Sequence, residues 1–342
     1  MPRALQEDRR RRPGMREVAQ QAGVAISSVS RVLSGHPDVS TDMRDKVMAV
    51  VEELGYHPDM LAQGLRRQTT MSIGFAASNI SNTVLTDAVI GAEGELRRAG
   101  YSLLLTDAGG DPELDAANIA LLQRRRVDAI LLAHGDERHP AVKKAIAEVD
   151  VPLVLIDRDA PRGTRLPSVK FDHRTGMREA AEALRDLGHE RIAMLVGGPR
   201  RPARERKAGV VDVYGKRSGL HCSVLEGDFS IPFGYEATRE LLAAEDRPTA
   251  LIAGGNVLMH GSLRALREAG VRVGADLSFV GCDDVAVAEF HDPQIAMVRR
   301  VPRDAGVEAA RMLMALLDGE AGPGDVTLPT AYASGASVAA PR

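Results

Sequence analysis

The sequence predicts an α/β protein with a small helical head followed by a two-lobed core of doubly wound parallel sheets. Three observations carry this. Near the N-terminus, apolar residues recur at helical spacing in three short segments between Met15 and Leu54. From Met71 onward, strand-like and helix-like segments alternate, and βαβ alternation of this kind implies parallel strands covered by helices. A junction pattern also recurs: LRRAGYSLLLTD, LRDLGHERIAMLV and LREAGVRVGADLSFVG each run from a helix end through glycine into a strand. Such an echo implies two similar halves, and 342 residues accommodate two to three domains of about 100 to 200 residues.

The head is read first. In MREVAQQAGVAISSVSRVLSG, Val18, Ala19 and Ala22 form one helical stripe and Val29, Val32 and Leu33 another, with Gly23 between them. A short helix, a glycine turn and a second short helix is the helix-turn-helix pattern, whose second helix enters the major groove of DNA. Its polar face carries Ile26, Ser27, Ser30 and Arg31. Arginine can fork onto guanine O6 and N7, serine can bond a base or a phosphate, and isoleucine can pack on a thymine methyl. A third helix starts at Ser40, a good N-cap, carries Met43, Val47, Val50, Val51 and Leu54 inward, and ends at Gly55. Periodicity alone also fits an ordinary three-helix subdomain whose polar face meets water.

In the core, strands are expected at 72–77, 102–107, 129–133, 152–157, 192–198, 250–255 and 277–284, with helices such as 112–125 and 176–187 between them. Ligands of doubly wound sheets bind beyond the carboxyl ends of the strands, and between two lobes they lie in the cleft.

Composition excludes several classes. Apolar residues make up 44% and charged residues 27%, ordinary for a globular protein, and no run approaches the 18 apolar residues of a membrane span. MPRALQEDRRRR leads into no apolar stretch, so it does not read as a secretory signal, and a cytoplasmic location is expected. Cys222 and Cys282 stand too far apart in sequence for a zinc-binding pair or a disulfide framework. Residues 1 to 70 carry a net charge of +2 and the remainder −5, a mildly basic head on an acidic body. No G-x-G-x-x-G, Walker, G-x-S-x-G or H-E-x-x-H pattern occurs, and the nine histidines are scattered. Neither a catalytic set nor a cofactor or metal site is expected.

The segment VAQQAGVAISSVSRVLSG, followed by VSTDMRDKVMAVVEELGYHPDMLAQGLRR, closely resembles the head of LacI/GalR-type transcriptional regulators. The shared motifs are the V-A-x-x-A-G-V turn, the V-S-R-V-L second helix, the E-L-G-Y close of the third and the P-x-x-x-A-x-x-L hinge. The resemblance assigns Ile26 and Ser27 to base readout, Arg31 to a base or adjacent phosphate, and Ser28 and Ser30 to phosphates. Leu65 matches the hinge leucine that such proteins wedge into a minor-groove step, which bends the duplex. The resemblance also implies a hinge helix and a periplasmic-binding-protein-like core, and it continues over polar residues at the strand ends. Asp157, Arg206, Asn256 and Asp283 match effector-contacting positions of the family.

This sequence departs from the family in places. Ala25 replaces the usual capping serine of the recognition helix, Asp59 replaces a hinge asparagine, and Gly64 weakens the hinge. The usual D-I-S-N-P-F-F reads NISNTVL, so Asn79 replaces aspartate and Thr83, Val84 and Leu85 replace Pro-Phe-Phe. The usual A-N-D reads GNV, with Val257 in place of a carboxylate. An aromatic platform is thereby expected to be lost and a plain pyranose disfavoured. Arg200, Arg201 and Arg204 precede Arg206. A solvated loop accounts for this cluster by itself; the other reading is an anionic effector.

The expected organisation is a basic arm (1–14, with Met15 an alternative start), a helix-turn-helix domain (15–57), a hinge (58–70) and an effector-binding and dimerisation core (71–342). Lobe 1 spans about 71–168 plus 301–328, and lobe 2 about 169–300 plus 329–342. The expected function is a DNA-binding repressor acting as a homodimer on a pseudo-palindromic operator, without membrane association. Its effector would be a sugar acid, polyol or phosphorylated metabolite. The other class left open is a small-molecule-binding protein or doubly wound enzyme with an incidental helical head.

Overall fold

The computed structural model describes residues 13–56, 69–215, 219–283, 285–320 and 324–342. The chain forms two units, Met1–Thr70 and Met71–Arg342. Leu65, Asp59 and Gly64, and with them almost all of the expected hinge, lie outside the described residues.

In the first unit, α1 (Met15–Ala22), α2 (Ile26–Leu33) and α3 (Thr41–Leu54) enclose a small core. Val18, Ala19, Ala22, Val29, Val32, Val47, Val50 and Tyr56 are buried in it. Gly23 and Gly55 close α1 and α3 in the left-handed conformation, at φ 62° and 58°, where glycine carries no Cβ penalty. Ser40 Oγ caps α3 by accepting from the Met43 amide at 3.3 Å. Ala25 at the head of α2 supplies no side-chain cap, as its substitution for serine implies.

The second unit holds two six-stranded sheets. Strands β1 (Ser72–Ala77), β2 (Ser102–Asp107), β3 (Ala129–Ala133), β4 (Leu153–Ile156), β5 (Ser168–Phe171) and β11 (Val326–Leu328) form the first, in order β11-β5-β4-β3-β1-β2. Strands β6 (Arg191–Gly197), β7 (His221–Gly227), β8 (Ala250–Ala253), β9 (Ser278–Cys282), β10 (Ala296–Arg299) and β12 (Ala331–Ala333) form the second, in order β12-β10-β9-β8-β6-β7. The two orders are the same winding repeated, which the recurrent helix–glycine–strand junctions foretold. The helices are α4 (Thr83–Arg98), α5 (Pro112–Arg124), α6 (Pro140–Ala147), α7 (His173–Asp186), α8 (Arg201–Tyr214), α9 (Ile231–Ala243), α10 (Asn256–Glu268), α11 (Val285–Phe290) and α12 (Pro302–Leu317).

Each sheet is covered on both faces, so its strands are apolar nearly throughout. Ile73, Phe75, Leu131 and Val154 pack under α4 and α12, while the alternating Ala76, Ile130, Leu132 and Leu155 pack under α5 and α6. In the second lobe, Ile192, Met194 and Ile252 face α7 and α8, and Ala193, Leu195 and Leu251 face α9 and α10. Helices α4 and α12 approach so closely that a Cβ on Gly91 would strike the Arg303 carbonyl, and one on Gly306 the Ala88 carbonyl.

The strand pairing adds two details to the expected plan. The second sheet is not wholly parallel, because β12 runs antiparallel to β10. β12 enters the second sheet at its edge, beside β10, and two residues link it to β11 of the first sheet. Ser168–Phe171, moreover, pairs in the first sheet with β4 and β11, so the chain crosses into lobe 2 after Phe171 and not at about 168. The four-residue strand SVKF is too short to show a period.

Candidate functional site

Helix α2 presents two different faces. Val29 and Val32 are buried, whereas Ile26 is 45% exposed and Ser27 and Arg31 are exposed beside it. Ser28 and Ser30 are half-buried at the margin. An exposed isoleucine next to a serine and an arginine on one short helix is a surface able to meet base edges.

The second site lies between the lobes, at the carboxyl ends of the strands. Asp157 directly follows β4 and Asp283 follows β9, with φ of 52° and 75°. A non-glycine residue seldom adopts this left-handed conformation, and such strain concentrates at functional sites. Arg300 follows β10, where the chain crosses back to lobe 1, and its guanidinium joins the two carboxylates. Nη1 donates to Asp157 Oδ2 at 2.6 Å, Nε to Asp283 Oδ1 at 2.7 Å and Nη2 to Asp283 Oδ2 at 3.1 Å.

Arg206 sits on the buried stripe of α8 with Ala203, Gly209, Val210 and Val213. All three arms of its guanidinium are engaged: Nη2 with Asp283 at 2.7 Å, Nη1 with the Gly254 carbonyl at 2.7 Å, and Nε with His173 Nδ1 at 3.4 Å. His173 in turn contacts Asp157 through Nε2 at 2.9 Å. Because Nδ1 accepts from an arginine, the proton of the neutral ring is on Nε2 and donates to the carboxylate.

Burial and the neighbouring charges fix the ionisation of this network. Desolvation pushes His173 down to about 4, against the opposing pull of Asp157 and with the help of Arg206. It is neutral at pH 7. Burial by itself would raise Asp157, but His173, Arg300 and Arg158 hold it well below the usual carboxylate range. Asp283 is likewise held down, against burial, by Arg206 and Arg300.

Further ion pairs tie the lobes together. From α8 in lobe 2, Arg201 reaches Asp157 at 3.3 Å and the Phe171 carbonyl at 3.0 Å, and Arg204 reaches Glu137 at 2.8 Å and also Asp159. Arg201 and Arg204 are therefore interlobe ties and not a solvated loop. Asn256 opens α10 and donates to Asn82 Oδ1 at 3.2 Å and Thr83 Oγ1 at 3.3 Å, a further bridge between the lobes.

The cleft encloses about 630 Å³, including its open mouth. Asp157, Arg206 and Asp283 line it, as expected from sequence; Asn256 does not, though it spans the same lobe interface. Sequence reading missed Arg158, His173 and Arg300. The expected loss of an aromatic platform holds only at positions 83–85, since Val84 and Leu85 line the cleft while Phe171 and Phe229 bring rings to it from other segments.

The head matches the bacterial regulatory proteins of the lacI family over residues 14–59, and residues 181–338 match a periplasmic binding protein-like domain. The ribose operon repressor of Escherichia coli is 32% identical over 304 residues, covering 88% of this chain and 92% of that protein. The chain belongs to the LacI family.

Catabolite control protein A of Priestia megaterium, 30% identical over 312 residues, covers 89% of this chain and 92% of its own length. The structure of the lac repressor dimer bound to operator and an anti-inducer matches 96% of this chain and 99% of its own, at 29% identity and a TM-score of 0.84. This LacI-family protein is a DNA-binding transcriptional repressor regulated by a small-molecule effector. Among its described residues no helix is long and apolar enough to cross a membrane.

Proposed function

We propose that this LacI-family protein acts in the cytoplasm as a homodimer on a pseudo-palindromic operator and has no catalytic role. Ile26 and Ser27 read base edges, Arg31 takes a base or the adjacent phosphate, and Ser28 and Ser30 take phosphates. Residues 58–70 are the hinge, with Leu65 its minor-groove wedge. The effector lies in the cleft beside Asp157, Arg206 and Asp283, with Asn256 reporting lobe closure through Asn82. The observation that carries the regulatory part is the convergence of both lobes on one buried charge network: Asp157 from lobe 1 and Asp283 from lobe 2 share Arg300. A ligand that binds one lobe arrangement better than another shifts their populations, and operator affinity follows. The dimeric lac repressor on its operator supports the symmetry, because operator symmetry mirrors protein symmetry. Selection from random duplexes tests the reading, with enriched sites expected to be pseudo-palindromes whose half-sites lie about one helical turn apart. Enrichment of non-palindromic sites alone, or of none, overturns it.

A further inference from the structure

The carboxylates a polyol would need are already occupied. Asp157 accepts from His173, Arg201 and Arg300, and Asp283 accepts from Arg206 and Arg300. Another part of the cleft wall has the opposite imbalance. The charged residues lining the cleft are Arg158, Arg200, Arg206 and Arg300 against Asp157 and Asp283, so two positive charges are in excess. Arg206 and Arg300 account for the two aspartates; Arg158 and Arg200 are the surplus.

Arg158 is buried directly after Asp157 in lobe 1 and donates only to carbonyl oxygens, those of His134 and Asp157, so it has no ion pair. Arg200 stands at the head of α8 in lobe 2, and its guanidinium makes no hydrogen bond or ion pair with any described residue. It stands over the Phe229 ring, with Cζ 5.9 Å from the centroid. A guanidinium held partly out of water without a hydrogen-bonded partner is costly, and what offsets that cost is the through-space attraction of Asp115, Asp136 and Glu137. Arg200 and Arg158 also repel each other across the lobe boundary: burial and then Arg200 push Arg158 down to about 10. Of these acids Glu137 is already paired with Arg204, and Asp115 is a weak counter-charge, since burial raises it to about 6 and one of its oxygens has no partner among the described residues. The floor beside them is apolar, formed by Val84, Leu85 and Ala88 of α4 with Ala305 of α12.

We propose that Arg158 and Arg200 form an anion subsite spanning the two lobes, and that the effector is a small organic acid, carboxylate or phosphate, with a largely apolar body. The acid group sits between the two guanidiniums and the body lies against α4 and Phe229. Because the arginines belong to different lobes and repel each other when empty, an anion between them turns a repulsive contact into a bridge and favours closure. This deepens the proposed function, since it rests on the cleft being the effector site.

The test is thermal unfolding and calorimetric titration of the full chain with benzoate, phenyl phosphate, benzyl alcohol and D-glucose, at matched ionic strength in sodium chloride. Benzoate and phenyl phosphate are expected to raise the unfolding midpoint by about 2 °C or more, and the two neutral probes to leave it unchanged. Arg200→Ala should bind the anions roughly tenfold or more weakly, as loss of a charged hydrogen bond implies, while Arg200→Lys keeps part of the affinity. Without ligand, Arg200→Ala should be as stable as the parent or more so, since the guanidinium has no hydrogen-bonded or ion-paired partner among the described residues. Stabilisation by D-glucose or benzyl alcohol as strong as by benzoate, by none of the probes, or equally in Arg200→Ala, overturns the subsite. Those outcomes leave operator selection untouched; failure to select any operator removes the regulatory reading and leaves the anion titration to be judged by itself.

Discussion

Asp157 and Asp283 stand at strand ends of different lobes and are held together by a single guanidinium, that of Arg300. Both carboxylates and the arginine are nearly excluded from solvent, with side-chain exposures of 6%, 3% and 6%. Such a network contributes little net stability compared with apolar packing, but removing one member leaves the others buried and uncompensated. Two of its members, Asp157 and Asp283, are residues that the family resemblance assigns to effector contact.

Arg300→Gln should accordingly destabilise the chain by about 3 to 5 kcal/mol, the range for breaking a buried ion pair. Urea unfolding measures this. In a double-mutant cycle with Asp283→Asn, the two losses should sum to more than the double variant loses, because the pair is in direct contact. Additive losses would mean that the bridge does not persist in solution.

On the head, Arg31→Ala is expected to cost about 1 to 3 kcal/mol of operator affinity and to relax preference at one base position. Repeating the duplex selection with the variant reads both effects. A uniform loss across all sequences, together with a salt slope reduced by about one, would instead assign Arg31 to a phosphate.

The missing cap on α2 offers a test of stability separate from DNA. Ala25 precedes Ile26 in extended conformation, at φ −68° and ψ 149°, with no side-chain acceptor for the first-turn amides. Ala25→Ser should stabilise the head by about 1 kcal/mol, read as slower amide exchange in α1 to α3. No change in exchange would show those amides to be satisfied already.

How far the sequence carried the fold and the site follows from what each part depends on. Elements defined by local period were legible: the seven apolar runs all contain strands, and Gly23 and Gly55 end helices where expected. Asp157 and Asp283 were legible because a polar residue closing an apolar strand is a local event. Arg206 carried a further signal in its place on the apolar stripe of α8. Arg300 did not, since in AMVRRVPRD it looks like one of three ordinary arginines, and its partners are 143 and 17 residues away. The cluster at 200–204 was ambiguous for the same reason: Arg204 finds Glu137 67 residues back. Phe229 was overlooked because aromatic character was sought only where the family carries it.

The charge network also makes stability depend on pH. Buried His173 and His134 titrate at about 4 and about 3 in the folded chain, His173 chiefly through desolvation and His134 through desolvation and then Arg158, whereas both titrate near 6.5 when unfolded. Between those limits the unfolded chain binds more protons, so their contribution is complete above about pH 6.5 and is lost as the pH falls. Asp115 has the opposite sign: at about 6 when folded and near 3.9 unfolded, it favours the native state as the pH falls through 6. The lowered histidines outweigh the one raised aspartate near pH 5, so the unfolded chain binds more protons there. Urea midpoints measured from pH 7 to 5 should therefore fall steadily with acid. His173→Gln, which can still donate to Asp157 but cannot take a proton, should flatten that fall even if it lowers stability at pH 7. An unchanged slope in this variant would show that His173 is already charged in the folded protein, held as an ion pair with Asp157.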